Sequence, residues 1–399
     1  MAGRPLGGIR VVELGVWVAG PGAGGLLAEW GADVIKVEPP DGDPMRRLFA
    51  ITAGHGQPQS PPFDLDNRGK RSVVLDLRDP GDRATMRRLV ATADVFLTNL
   101  RPDAVERLGL GPGRLLPDLP RLVYANVTGY GREGPDADRA GYDVGAFWAR
   151  TGMALATTPE GEGPAGIRAG LGDHVTAMAL VAGICAALHE RNATGAGQLV
   201  DTSLLRTGIW SVGWDFGIQL RFGKLAPTLP RTETMNPTMN PYQARDGRWF
   251  WLLGLESDRH WPGICRAVEH PEWCEEEPFG SSRGRRKQAG VVIGALDAAF
   301  AGRDRDDWTR RFDAEGVWWA PVHTFADVVE DPQAHAAGAF VDVPDGGGAA
   351  AHRAVATPVT FGGVDAAVGP VPGLGAHTDE VLAELELLTA RSADGHGKS

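Results

Sequence analysis

The chain has 399 residues, 43% of them hydrophobic and 23% charged, an ordinary globular composition with room for one large or two ordinary domains. Its net charge of −11 argues against nucleic acid as a partner, because phosphate binding needs a basic surface. The three cysteines, Cys185, Cys265 and Cys274, show no CxxC spacing, so neither a zinc site nor a redox motif is expected.

The first apolar run, residues 9–14, contains Arg10 and Glu13 and reads as a strand rather than a secretory signal. No uninterrupted apolar stretch of about 20 residues occurs, so no membrane span is expected and the cytoplasm is the default location. Gly20, Gly22 and Gly25 then spell GxGxxG, and Glu38 ends the next strand pattern at 33–38. That imitates a dinucleotide-binding fingerprint and opens an alternative reading as a nicotinamide-dinucleotide-binding oxidoreductase. Against it, residues 16–19 separate the strand from the first glycine and Pro21 sits inside the loop. The other use of these glycines is to let a helix at 22–30 pack close to the sheet.

Strand patterns at 72–77, 95–98, 122–128 and 198–203 alternate with helix patterns at 82–91 and 102–108. Such alternation predicts an α/β fold with a parallel, helix-covered, Rossmann-like sheet. Ligands on such sheets bind beyond the carboxyl ends of the strands, and Asn99, just after the 95–98 strand, is placed for that role. Further on, Gly172-Asp173-His174 opens an amphipathic helix with Met178, Val181, Ala182, Cys185 and Leu188 expected on its buried face. Residues 194–197 stop it. Asp173 has two readings. It is a helix N-cap, accepting a first-turn N–H for about 1 kcal/mol. Or it is a carboxylate nucleophile, kept ionised by the positive potential at a helix start and able to attack a thioester carbonyl to form a mixed anhydride.

Composition changes after about residue 222. Residues 223–241 hold four prolines and read as a linker. A second unit opens with the hairpin pattern ARDGRWFWLL, turning at Asp246-Gly247, and continues with helix patterns at 258–268, 287–300 and 306–315.

The order of motifs resembles the family III CoA-transferases, the CaiB/BaiF family that includes formyl-CoA transferase and the carnitine CoA-transferases. The residues that carry the likeness are Gly172-Asp173, then Ala187-Leu188 with Arg191, then TGAGQLVDTS from Thr194 to Ser203. PLGGIRVVELGVWVAGP, GADVIKVEPPDGDPMR and NRGKRSVVLDL precede them, as do VFLTNLRPDAVERLGLG and GYD. APVHTFADVVEDPQ and LGAHTDEVLAEL follow, so the likeness spans nearly the whole chain.

The resemblance implies a transfer of CoA from an acyl-CoA donor to a free carboxylic acid, with Asp173 as nucleophile and with neither ATP nor metal required. It implies an interlocked-ring homodimer. It also implies a large CoA-binding domain over 1–225, a linker and smaller α+β domain over 226–327, and a return to the large domain over 328–399 that ends in a disordered tail at 392–399. Its CoA contacts fall on Val18, Ala19, Leu75, Arg78 (a Lys in the family pattern), Asn99, Leu100, Arg101 and Arg107. Arginines suit phosphates, although solvated surface charge is the alternative for Arg78, Arg101 and Arg107.

Three departures bear on substrate. Val18 stands where formyl-CoA transferase has Gln, and Pro39 where it has Arg. Residues 235–241, MNPTMNP, take the region of a glycine-rich run that covers the site in that enzyme. A site lined by Trp17, Val18 and Tyr142 suits a larger, less polar acid, and Asp143 either accepts hydrogen bonds there or caps the helix that follows. The related 2-methylacyl-CoA racemases carry His where this chain has Tyr142. Racemisation needs a base on each face of the α-carbon, and Tyr is a poor one at neutral pH. Transferase, acyl-CoA racemase or isomerase, and CoA binder without catalysis are the classes left open.

Overall fold

The computed structural model describes residues 4–52, 60–344, 352–364 and 368–395. Six strands form one sheet: β1 (Arg10–Leu14), β2 (Asp33–Glu38), β3 (Arg71–Val74), β4 (Val95–Thr98), β5 (Val123–Thr128) and β6 (Leu199–Ser203). All pair in parallel, in the order β3-β2-β1-β4-β5-β6. Helices cover both faces, so strands such as β4 and β5 are buried along their whole length. The third strand is shorter than its pattern suggests. After Leu75, whose N–H still reaches Glu38, the Asp76 N–H is taken by the Asp82 carboxylate at 2.7 Å, and the chain turns away.

Order reverses between β1 and β4, and the crevice beyond their carboxyl ends is where ligands bind on such sheets. The loop after β1 and Asn99 after β4 meet there. The helix that follows, α1 (Ala19–Glu29), begins three residues earlier than its pattern suggests, so Gly20, Gly22 and Gly25 lie inside it. They form no phosphate loop, which removes the ground for the dinucleotide reading. Their use is close approach, Gly20 to Asn99 at the end of β4 and Gly22 and Gly25 to other helices. A Cβ on Gly25 would stand 2.7 Å from the backbone oxygen of Asp66 in α2 (Pro61–Asn67), and one on Gly22 would stand 3.4 Å from the Ala177 methyl.

The helix that carries Asp173, α3 (Leu171–Thr194), buries Thr176, Ala177, Leu180, Val181, Ile184, Ala187 and Leu188 against α1, β5 and β6. Of the expected face, Val181 and Leu188 are buried, Met178 and Cys185 half-buried and Ala182 exposed. The true stripe is rotated by about one residue, because small residues on both sides of Val181 left the sequence pattern ambiguous. By length and composition α3 could span a membrane, but its apolar stripe belongs to the core beside Ala23, Leu27, Val123 and Val127.

The described chain forms two compact units, one of residues 1–155, 165–225 and 338–399, the other of 156–164 and 226–337. In the second, β7 (Pro241–Gln243), β8 (Trp249–Leu252) and β9 (Trp319–Pro321) make an antiparallel sheet. Gly247, at φ +78°, sits in the turn between β7 and β8. Helices Ser257–Ala267, Ala289–Phe300 and Arg305–Glu315 pack on an aromatic core in which Phe250 and Phe300 meet edge to face at 5.0 Å. The last helix, Thr378–Gly395, sends Val381 and Leu385 into the first unit's core. It carries residues 392–395, which the sequence reading put in a disordered tail; residues 396–399 lie outside the described residues.

Candidate active site

Asp173 is not the N-cap of α3. That place belongs to Gly170, whose φ of +83° a residue with a side chain rarely adopts, and no side chain caps the helix there. Asp173 sits in the first turn, half-buried, and its carboxylate accepts no hydrogen bond among the described residues. Burial pushes its pKa up to about 7, and the Asp143 and Asp66 carboxylates push the same way, against the pull of His174. The positive potential of the helix start is therefore outweighed, and the expected lowering does not occur. Asp173 is a carboxylate poised to titrate near neutrality, neither hydrogen-bonded nor salt-bridged.

Asp143 does both things considered for it. One of its oxygens accepts the N–H of Val144 at 2.8 Å, starting the π-helical turn Val144–Ala149, and the other accepts the N–H of Gly170 at 2.9 Å. It thus pins the residue from which α3 starts, three positions before Asp173.

The facing wall is the loop after β1. Asn99 clasps Val16, accepting its N–H at 3.0 Å and donating to its carbonyl at 2.6 Å. Trp17 follows at φ +68°, a conformation that costs a non-glycine residue on the order of 1–3 kcal/mol and that its surroundings must enforce. Its N–H is held by Asp43 at 3.2 Å, and its ring meets that of Tyr142 edge to face at 5.8 Å. Val18 comes beside Gly170: a Cβ there would stand 3.9 Å from Val18 Cγ1. Trp17, Val18, Tyr142 and Asp143 are so brought to the start of α3. Ala19, buried, opens α1.

The sequence reading did not single out Asp66, and named His174 only as the residue after Asp173. Asp66, buried in α2, lies 2.9 Å from Nε2 of His174. They are 108 positions apart, beyond any spacing argument. The legible signal was indirect: acids and lysines placed in otherwise apolar strands.

The remaining residues gather around two hollows on the same sheet edge. A cleft of about 400 Å³ is lined by Pro39, Leu75, Arg78, Leu100 and Leu108. A second, of about 300 Å³, shares Leu100 and adds Arg101, Arg107, Asp103 and Asp138. Arg78 is 85% exposed and grips Asp76 with two bonds of 2.8 Å. Arg101 and Arg107 are exposed and have no ion-pair partner among the described residues.

The model of CoA-transferase family III matches residues 6–378. This chain belongs to the family III CoA-transferases. Among its relatives is the (R)-2-hydroxy-4-methylpentanoate CoA-transferase of Clostridioides difficile, 30% identical over 384 residues, 95% of each chain. Another is the succinate–glutarate CoA-transferase of Agrobacterium fabrum, 32% identical over 96% of each chain. A solved CaiB/BaiF family protein from Brucella suis superposes with a TM-score of 0.85 at 30% identity, covering 96% of this chain and 99% of its own. Relatives of nearly equal similarity are thus named for a branched hydroxy acid and for short dicarboxylic acids, so substrate choice rests on this chain's own site.

Proposed function

We propose that the protein moves CoA from an acyl-CoA donor to a larger, apolar monocarboxylic acid, through anhydrides on Asp173. The observation that carries the reading is the carboxylate of Asp173, without a partner, at a helix start pinned by Asp143. In the first step an Asp173 oxygen attacks the donor thioester carbonyl. The C–O bond forms, the C–S bond breaks, and CoA leaves as thiolate. The thiolate then attacks the aspartyl carbonyl, freeing the donor acid and leaving an aspartyl-CoA thioester. The acceptor carboxylate attacks that thioester and expels the thiolate again. Finally the thiolate attacks the acceptor's carbonyl, giving the new acyl-CoA and restoring Asp173. Splitting one acyl transfer this way conserves the thioester's energy. First-turn N–H groups of α1 and α3 have no acceptor within their helices and suit the oxyanion of each tetrahedral intermediate.

The first unit acts as the CoA-binding domain. The cleft walled by Pro39, Leu75 and Leu100 suits the adenine, and Arg101 and Arg107 suit its phosphates. Val18 and Ala19 would flank the thiol end, and Asn99 would serve by fixing Val16. The acceptor class follows from the lining of the reacting end. Trp17, Val18 and Tyr142 offer apolar surface, while Asp143 and Asp66 would repel a second carboxylate. We further propose a cytoplasmic, interlocked homodimer. Trp210 and Trp214, each 84% exposed, and Leu220, 83% exposed, leave an apolar face that a second copy would cover. Native mass spectrometry reads the dimer directly. Turnover of a donor panel against paired acceptors tests the substrate reading: branched and aromatic monocarboxylates should outrun succinate and glutarate, and the reverse order would refute it.

A further inference from the structure

The corner beside Asp173 holds a buried charge cluster that the transfer reaction does not by itself require. Glu13, at the centre, takes Lys36 at 2.9 Å on one oxygen and Lys70 at 2.7 Å on the other. Lys36 also meets Asp43 at 3.0 Å, and Asp43 holds the Trp17 N–H. Glu38 is paired with Arg46 at 2.7 Å. Lys70 reaches Asn67 at 2.9 Å, next to Asp66, and Asp66 reaches His174. Four carboxylates (Glu13, Glu38, Asp43, Asp66) face three cations (Lys36, Lys70, Arg46), of which Lys70 is held least firmly, burial lowering its pKa to about 8. Their side chains are almost wholly out of water, except that of Arg46, which is 16% exposed. An uncompensated charge in such surroundings is costly, and burial pushes the Asp66 pKa up, so Asp66 needs a cation beside it to stay ionised. The group in contact with the unbalanced acid, Asp66, is the imidazole of His174.

We propose that Asp66 holds His174 as imidazolium, and that this cation, next in the chain to Asp173, favours the ionised nucleophile. The inference rests on the reading of Asp173 as nucleophile and assigns His174 a positioning role, with no proton transferred to substrate. The hydrogen bond that His174 Nε2 donates to Asp66 raises the His174 pKa, with its burial opposing and Asp173 and Asp143 adding to the rise. His174 in turn is the one group that favours ionised Asp173 against burial, Asp143 and Asp66. The elements packed on α3 bring other charges: Glu29 of α1 is paired with Arg68, and Asp201 of β6 is bonded to Asn126. The exposed Arg206 lies in the helix after β6, and the π-helical turn and β5 carry no charged side chain. None of these is among the charges that shift Asp173 or His174. The His174 side chain is 45% exposed, so solvent weakens its effect.

The test is the pH dependence of kcat in the full-length enzyme for the wild type, His174→Gln, Asp66→Asn and the double variant, with Asp173→Asn beside them. Gln at 174 keeps a donor for Asp66 and removes only the charge. The acid limb of His174→Gln should move up by about one pH unit, giving a roughly tenfold loss at the foot of the limb and little change on the alkaline plateau, and that of Asp66→Asn should move up by less, because the same change removes a carboxylate that repels Asp173. The double variant should move no further than His174→Gln. Equal losses at every pH would mean a structural role and overturn the proposal. Nitrogen-15 NMR of histidine in the wild type gives a second readout that needs no variant to fold: an imidazolium at pH 7 is expected, and a neutral ring would overturn the proposal. If Asp173→Asn kept its activity, the nucleophile reading itself would fail. If Asp173→Asn were dead and the limb did not move, only the present inference would.

Discussion

The two ends of the first unit's sheet edge are built on opposite plans. At the reacting end nearly every polar group is committed. Asn99 holds Val16, Asp43 holds Trp17, Asp143 holds Gly170, and the Asp173 carboxylate accepts no hydrogen bond among the described residues. At the nucleotide end the cations are exposed, and Arg101 and Arg107 have no partner among the described residues. Rigid placement concentrates at the atoms that react, because a small misplacement there is expensive in rate. The proposed nucleotide end would need grip rather than placement, which exposed arginines suit.

Substitutions at the two ends should therefore differ in kind. The largest effect belongs to Asp173→Asn, which removes the nucleophile and should lower kcat by at least about 10³-fold. The same variant should be more stable. A carboxyl whose folded pKa is raised to about 7 opposes folding once ionised. That penalty is absent well below the unfolded value, grows as pH rises and is complete above 7. The midpoint of thermal unfolding of Asp173→Asn should accordingly exceed that of the wild type by a few degrees at pH 8 and converge with it near pH 4. Equal midpoints at both pH values would deny that burial strains Asp173.

Asp143→Ala releases Gly170 and also removes a repelling charge. It should lower kcat by about 10–100-fold on the alkaline plateau, the scale of a displaced reacting group, while its acid limb moves to lower pH. A variant that loses rate without moving the limb would break the electrostatic half of the account. In the wild type, kcat should fall as pH drops through about 7, because protonated Asp173 cannot attack.

Arg101→Ala and Arg107→Ala should each raise KM for the acyl-CoA by about 5–10-fold at unchanged kcat, the loss of one charge-assisted contact, and the effect should shrink with added salt. A fall in kcat instead would blur the contrast between the two ends. The smallest effect is expected from Arg78→Ala, less than about twofold in KM, since Asp76 already holds that guanidinium.

Much of this was legible in the sequence, for definite reasons. Parallel strands buried on both faces show as short apolar runs, and β2 and β4 have the bounds their patterns suggest. Asp173 was singled out through its motif, and the structure places Val18, Trp17, Tyr142 and Asp143 around the start of its helix. What stayed hidden was set by tertiary contact. Periodicity among small residues could not fix which side of α3 faces α1. A glycine motif could not tell a phosphate loop from a helix crossing, which depends on where α2 passes. The helix-start argument for Asp173 captured one local field and missed burial and two acids brought from elsewhere, which reversed the sign of its pKa shift. Asp66 and His174 could be joined only by the fold.

The most direct test is intact-protein mass spectrometry of wild type and Asp173→Asn after incubation with a panel of acyl-CoAs and then hydroxylamine. The account predicts a covalent acyl or CoA adduct on wild type only, mapped to Asp173 and converted by hydroxylamine to the hydroxamate of that residue. An adduct that survives in Asp173→Asn, or full transfer activity in that variant, would contradict it.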